Sequence, residues 1–293
     1  MPTRIDRYPV APEGAGPYGI AVGSDGRMWF TAVAEGWIGA LTATGVVSTF
    51  PLDPPTCGPM AMTAGPDGAL WYTRRDHMIG RITTTGEITS FALPTADAGP
   101  YGIAPGPDGA LWFTEMNADA IGRITVDGEV TEHPLPVSGA FPAYLVAGPD
   151  GAMWFAANAA NAIGRITLDG EATLYPLPTE NAAPVGITAG VDGSLWFVEI
   201  GAGQVGRIDA SGRVEEFALP DPEARPHAIA CTPDGDLWFT EWGVGRVGHV
   251  DGDGRVKEHD LGRGAEPHGI VADATGAVWV ALEAGEIVRL AVS

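Results

Sequence analysis

Three residues near the end of the chain have the types and spacing needed for proton transfer beside a cation: Glu266, His268 and Glu283. Glu266 and His268 stand two apart, so in an extended segment they project to the same side. A two-residue hairpin loop at Thr275-Gly276 would set His268 directly opposite Glu283, with facing Cβ atoms about 5 Å apart. Two carboxylates that close repel each other unless one is protonated or a cation bridges them. A hard divalent cation such as Mg²⁺ takes oxygen ligands and keeps several waters. An imidazole beside it titrates near neutral pH, as a general base must. On the residues alone a bland alternative stays open. Glu266 and Glu283 fit solvated loop acids in a chain with 37 acidic residues, and His268 and His227 fit polar linings of a water-filled channel.

Other chemistries lack their residues. There is no GxSxG elbow, no phosphate-binding loop and no Cys-His metal cluster. Cys57 and Cys231 match no metal or redox spacing and read as small buried hydrophobes of a reducing cytosol.

The elements that must position these groups are set by tryptophan. Trp29, Trp71, Trp112, Trp154, Trp196, Trp238 and Trp279 recur every 41 or 42 residues. Each unit carries four short extended runs: one after an xPxG segment, one holding the Trp (LWFTE), one of the IGRIT type, and an alternating fourth run such as EVTEHPL. Asp-Gly pairs between the first two runs, as at Asp108-Gly109, signal hairpins. The predicted fold is all-β: one seven-bladed β-propeller over residues 1–293, four antiparallel strands per blade. The seventh unit lacks a fourth run, and Arg4 to Val10 (RIDRYPV) matches that run in type. The N-terminal strand is therefore expected to complete the seventh blade and remove an exposed edge.

Scaffold positions recur from blade to blade, whereas site positions break the pattern. The residue eleven before each Trp is Tyr18, Met60, Tyr101, Ala143, Val185, His227 and His268. All seven should ring one mouth of the central channel. Glu266 replaces the usual Gly or Ala before Pro, and Trp242 pairs with His227 if the Asp234-Gly235 loop has two residues. His77, His133, His249 and His259 read as solvent-facing, and the recurring Arg81, Arg123, Arg165 and Arg207 read as scaffold.

The formal net charge is −21, from 16 basic and 37 acidic residues. Such a surface repels phosphate backbones and anionic lipid, so neither nucleic acid nor a membrane is an expected partner. No signal peptide and no apolar run of spanning length is evident, and a cytoplasmic monomer is the expectation.

The units GPYGI, IGRIT, LWFTE, ARPHAI and AEPHGI, in this order and period, resemble the virginiamycin B (streptogramin B) lyase family over essentially the whole chain. That resemblance implies a carbon–oxygen lyase. It would linearise streptogramin B-type cyclic depsipeptides by Mg²⁺-dependent β-elimination at an ester joining a threonine side-chain oxygen to a C-terminal carboxylate, thereby inactivating the antibiotic. It assigns His268 as the base, Glu266 and Glu283 as metal carboxylates, and His227 and Tyr18 as substrate contacts; Tyr101 and Trp242, on the same mouth, join the candidate substrate contacts. The seventh blade departs from the resembled pattern at WVALEAGEIV. The competing expectations are a metal-dependent lactonase or esterase-like propeller, which would add water to its substrate, and a non-catalytic peptide-binding propeller. A lyase of this kind acting on another cyclic depsipeptide also fits the residues.

Overall fold

The computed structural model describes residues 3–12, 14–250 and 255–292. The molecule is a ring of seven antiparallel four-stranded sheets. In blade one the strands are Pro17–Val22, Met28–Ala32, Trp37–Leu41 and Val47–Pro51, running from the axis outward. Blades two to six repeat that order. Blade seven consists of Pro267–Ala272, Val278–Leu282 and Glu286–Val292, with Thr3–Pro9 as its outermost strand. Thr3–Pro9 pairs antiparallel with Glu286–Val292 along its whole length, so the two ends of the described chain close the ring together. The innermost strands of successive blades touch around a closed circuit, with blade one against blade seven.

Blades two to four are held by one three-part device, of which the other blades keep parts. The indole Nε1 of Trp29, Trp71, Trp112 and Trp154 donates to the turn aspartate four residues earlier, at 3.0–3.2 Å. The other carboxylate oxygen of Asp67, Asp108 and Asp150 pairs with Arg81, Arg123 and Arg165 at 2.6–2.7 Å. The recurring arginines are thus bound within their own blades. An aromatic ring from the fourth strand covers each tryptophan. Phe50 on Trp29, His133 on Trp112 and His259 on Trp238 have centroids 5.3–5.5 Å apart, and Tyr8 of the N-terminal strand stacks on Trp279 at 5.6 Å.

This overturns the reading of three histidines as solvent-facing. His133 and His259 are half-buried ring partners of the core tryptophans. His249 is buried, stacks on Trp238 at 4.3 Å and meets Asp236 at 3.1 Å, in the place other blades give to arginine. A fourth-strand position that faces inward to a tryptophan accepts any flat ring, and imidazole satisfies it.

The hairpins differ from the two-residue expectation. In blade one Gly23 and Arg27 close the turn, Gly26 N–H returns to Gly23, and Gly26 has φ of +76°. Three residues lie inside the loop, and only the glycine takes the left-handed conformation. Asp25 remains free to accept from Trp29. A bulge then shifts the register within every innermost strand, for example between Pro267 and Ile270.

Candidate active site

The bulge decides what the innermost strand presents to the axis. In blade seven, Ile270, Val271 and Ala272 pair with Val280, Trp279 and Val278, whereas Pro267 pairs with Leu282. His268 and Gly269 lie between these registers, inside the bulge. The backbone groups freed there are taken up by a threonine of the neighbouring strand. Thr240 Oγ1 donates to His268 O at 3.0 Å and accepts from Ala228 N–H at 3.0 Å, tying the strand of His227 to that of His268. A Cβ at residue 269 would press on the Tyr18 carbonyl, so glycine lets blade seven approach blade one this closely.

The expected pairing of His268 opposite Glu283 is therefore corrected. A three-residue loop closed by Asp273 and Ala277, together with the bulge, places Glu283 opposite Glu266, whose carbonyl accepts the Glu283 N–H at 3.2 Å. Glu266 is not extended either: it has φ of +47° and precedes the strand. The side chains nonetheless converge. His268 Nε2 lies 3.1 Å from Glu283 Oε1. Burial, then the adjacent Glu283, pushes the Glu266 carboxyl up, whereas hydrogen bonding from His268 holds Glu283 below the usual carboxylate range. His268 is buried and its Nδ1 has no hydrogen-bond partner. Nε2 is engaged with the half-exposed Glu283.

Below this cluster the rings pack face and edge. Tyr18 lies 4.5 Å from His268, and His227 stands perpendicular to His268 at 4.7 Å. The hydroxyls of Tyr18 and Tyr101 are 2.7 Å apart and lie 3.4 and 3.2 Å from His227 Nε2. Burial, then the neighbouring His268, lowers the His227 pKa to about 3, so this ring is neutral at physiological pH. Burial, followed by the Tyr144 and Tyr101 phenols, raises Tyr18 well above its ordinary value, so it stays a donor.

Of the seven expected mouth residues, Tyr18, Tyr101, His227 and His268 are brought together. Met60 packs beside Tyr18 and Tyr101, whereas Ala143 and Val185 join an inter-blade core. Trp242 does not pair with His227. Pro226 pairs with Glu241 after the same bulge, and the Trp242 ring instead approaches His268 at 6.2 Å. Trp242 lines a groove of about 640 Å³ with Arg225, Arg263 and Glu266.

Tyr144 was absent from the sequence-based candidates. It is in ring contact with Tyr101 at 5.3 Å and His227 at 6.0 Å, and it lines the axial cavity of about 430 Å³ on the far side. A signal existed: residues 19, 61, 102, 186, 228 and 269 at the equivalent position are Gly or Ala, and blade four alone places a tyrosine there.

The donor set fits a hard cation. Two carboxylates of opposite pKa displacement face each other on the mouth, and two such ligands leave most of a Mg²⁺ shell to water and substrate oxygen. Among the described residues there is no ready cage of three or more His, Cys, Asp or Glu.

Known proteins resemble this chain over essentially its whole length. The Virginiamycin B lyase family matches residues 3–290. A selenomethionine-substituted virginiamycin B lyase from Staphylococcus aureus is 41% identical, with full coverage of both chains and a TM-score of 0.96. A streptogramin B lyase structure is 41% identical over 99% of this chain and 98% of its own, also at 0.96. A catalytically inactive histidine-to-alanine variant of the S. aureus virginiamycin B lyase, solved with quinupristin, is 40% identical over the full length of both chains, again at 0.96. No curated protein matches.

Proposed function

Because this chain belongs to the virginiamycin B lyase family, we propose that it linearises streptogramin B-type cyclic depsipeptides by β-elimination at their ester. The observation that carries the proposal is the meeting of Glu266, His268 and Glu283 at one mouth of the propeller, with His268 Nε2 3.1 Å from Glu283. Glu266 and Glu283 would hold Mg²⁺, which when bound supplies charge stabilisation for a developing enolate.

The residues of the chain do the rest. His268 takes the α-proton of the ester-bearing threonine residue. The Glu283 carboxylate beside Nε2 stabilises the imidazolium that forms. The electron pair of the broken Cα–H bond becomes the Cα=Cβ double bond, and the Cβ–O bond breaks with its pair leaving on the carboxylate. No water is consumed, and a carboxylate departs without prior protonation. Neutral His227, held near the Tyr18 and Tyr101 hydroxyls, orients the His268 ring it abuts. Trp242 offers aromatic surface to the substrate, and Tyr18, buried against His268, backs the base.

Mass spectrometry of a streptogramin B incubated with protein and Mg²⁺ tests the proposal. The product should keep the substrate mass, with a new unsaturated residue at the opened ester. A gain of one water would identify hydrolysis and refute elimination.

A further inference from the structure

The residue before the proline of each innermost strand has a left-handed backbone in all seven blades. Its φ is 68°, 56°, 66°, 49°, 50°, 47° and 47° at Gly16, Gly58, Gly99, Phe141, Ala183, Arg225 and Glu266. In six of the blades its carbonyl accepts the N–H of the residue that ends the second-strand arm, as Asn158 does to Phe141 and Glu283 to Glu266, both at 3.2 Å. The position is thus one scaffold site repeated. Glycine fills it without strain, and blades one to three use glycine. A bulky side chain at such a φ is disfavoured, and strain of this kind gathers where a side chain is needed for function. Blade seven bears the strain to place Glu266 at the mouth.

Blades four and six do the same with Phe141 and Arg225. The backbone relation to Glu266 sends their side chains toward the same mouth. Arg225 is exposed and lines the groove that Glu266 and Trp242 share. Phe141 is 41% exposed, high for a phenylalanine. Its backbone is pinned, since Asp119 accepts the N–H groups of Gly139, Ala140 and Phe141 at 2.7, 2.7 and 3.3 Å. Blade four lies across the ring from blade seven. A macrocycle with its ester over Glu266, His268 and Glu283 must rest its far edge on that opposite rim.

We propose that Phe141 and Arg225 are substrate contacts that select the cyclic depsipeptide. Phe141 covers an apolar side chain at the far edge of the macrocycle, and Arg225 donates to peptide carbonyl oxygens beside the cation site. This rests on the lyase reading above.

The test measures binding apart from turnover. Calorimetry with a streptogramin B and Mg²⁺ compares a His268→Ala parent with the same parent carrying Phe141→Gly or Arg225→Gly. Burying an aromatic side chain against ligand implies roughly tenfold weaker binding for Phe141→Gly, and the loss at Arg225 should be roughly fivefold. Glycine removes the positive-φ strain, so the melting temperature of Phe141→Gly should equal or exceed that of the parent. Dissociation constants of both variants within about twofold of the parent would overturn the proposal and leave the lyase reading intact. Weaker binding accompanied by a lower melting temperature would show a structural role and would also overturn it. A parent that does not bind the depsipeptide would remove the lyase reading and this proposal together.

Discussion

At the scale of single residues, His268 owes its position to two contacts of different kinds. Glu283 holds one ring edge at 3.1 Å, while Tyr18 and His227 pack on its faces at 4.5 and 4.7 Å. None of these is a covalent or core-forming contact for the blade, so removing the imidazole should remove chemistry and leave the fold. His268→Ala is expected to lower kcat by roughly 10²–10⁴-fold, the usual worth of a general base. Its melting temperature should stay near that of the native chain; activity comparable to the native chain would refute the base assignment. Glu266 and Glu283 face each other with their carboxyls displaced in opposite directions, as two neighbouring carboxyls must be when one charge is favoured over two. EDTA should abolish turnover and added Mg²⁺ should restore it. Turnover that ignores both treatments would strip the two glutamates of the metal role.

At the scale of the strand, the end of the second strand carries a buried acid in three blades. Glu115, Glu199 and Glu241 are fully buried, and Glu115 and Glu199 each lie against a fourth-strand carboxylate with which they can share a proton. Burial, then the fourth-strand acids Glu132, Glu216 and Glu258, pushes their pKa values up to about 8, 8 and 7. These folded values lie above the unfolded one, so the folded state prefers the protonated form. The associated stability is fully present below about pH 4 and is lost as pH rises through 7 to 8, at no more than about 1.4 kcal/mol per pH unit for each group. Thermal unfolding between pH 5 and 8 should therefore show a falling melting temperature. Replacing all three by Gln should flatten that fall, and an unchanged slope in the triple variant would mean the carboxyls are solvated or otherwise paired. The same element shows how a bulge makes a site. The bulge frees the backbone around His268, and Thr240 then bridges two blades through the groups it releases.

At the scale of the whole molecule, ring closure is what brings blade one to blade seven. Thr3–Pro9 pairs with Glu286–Val292, and across the seam so closed Tyr18 meets His268. Tyr8 covers Trp279, and Arg7 meets Glu286 at 2.6 Å. Deleting residues 3–9 would uncover a strand edge and the seventh tryptophan together. The truncated chain should melt lower by roughly 10 °C or more, or aggregate, when followed by thermal scanning and light scattering. A truncated chain as stable as the native one would show that the latch is dispensable.

The regular tryptophans, the Asp-Gly turns and the orphan fourth strand were legible as a closed propeller because they report local hydrophobic pattern and turn chemistry, which repeat with the chain. Tyr18, Tyr101, His227 and His268 were legible because they break that repeat at one position. The register was not legible. Three-residue loops and a bulge in each innermost strand are settled by turn closure and by hydrogen bonds that cross between blades, so Glu283 came to face Glu266, and Trp242 turned toward His268. Tyr144 and the inward histidines escaped for a related reason: whether a ring meets solvent, a tryptophan or the axis depends on the neighbouring blade. Sequence thus determined which residues are unusual, and tertiary packing decided which of them touch, since contact distances arise only when seven separately patterned sheets are forced around one axis.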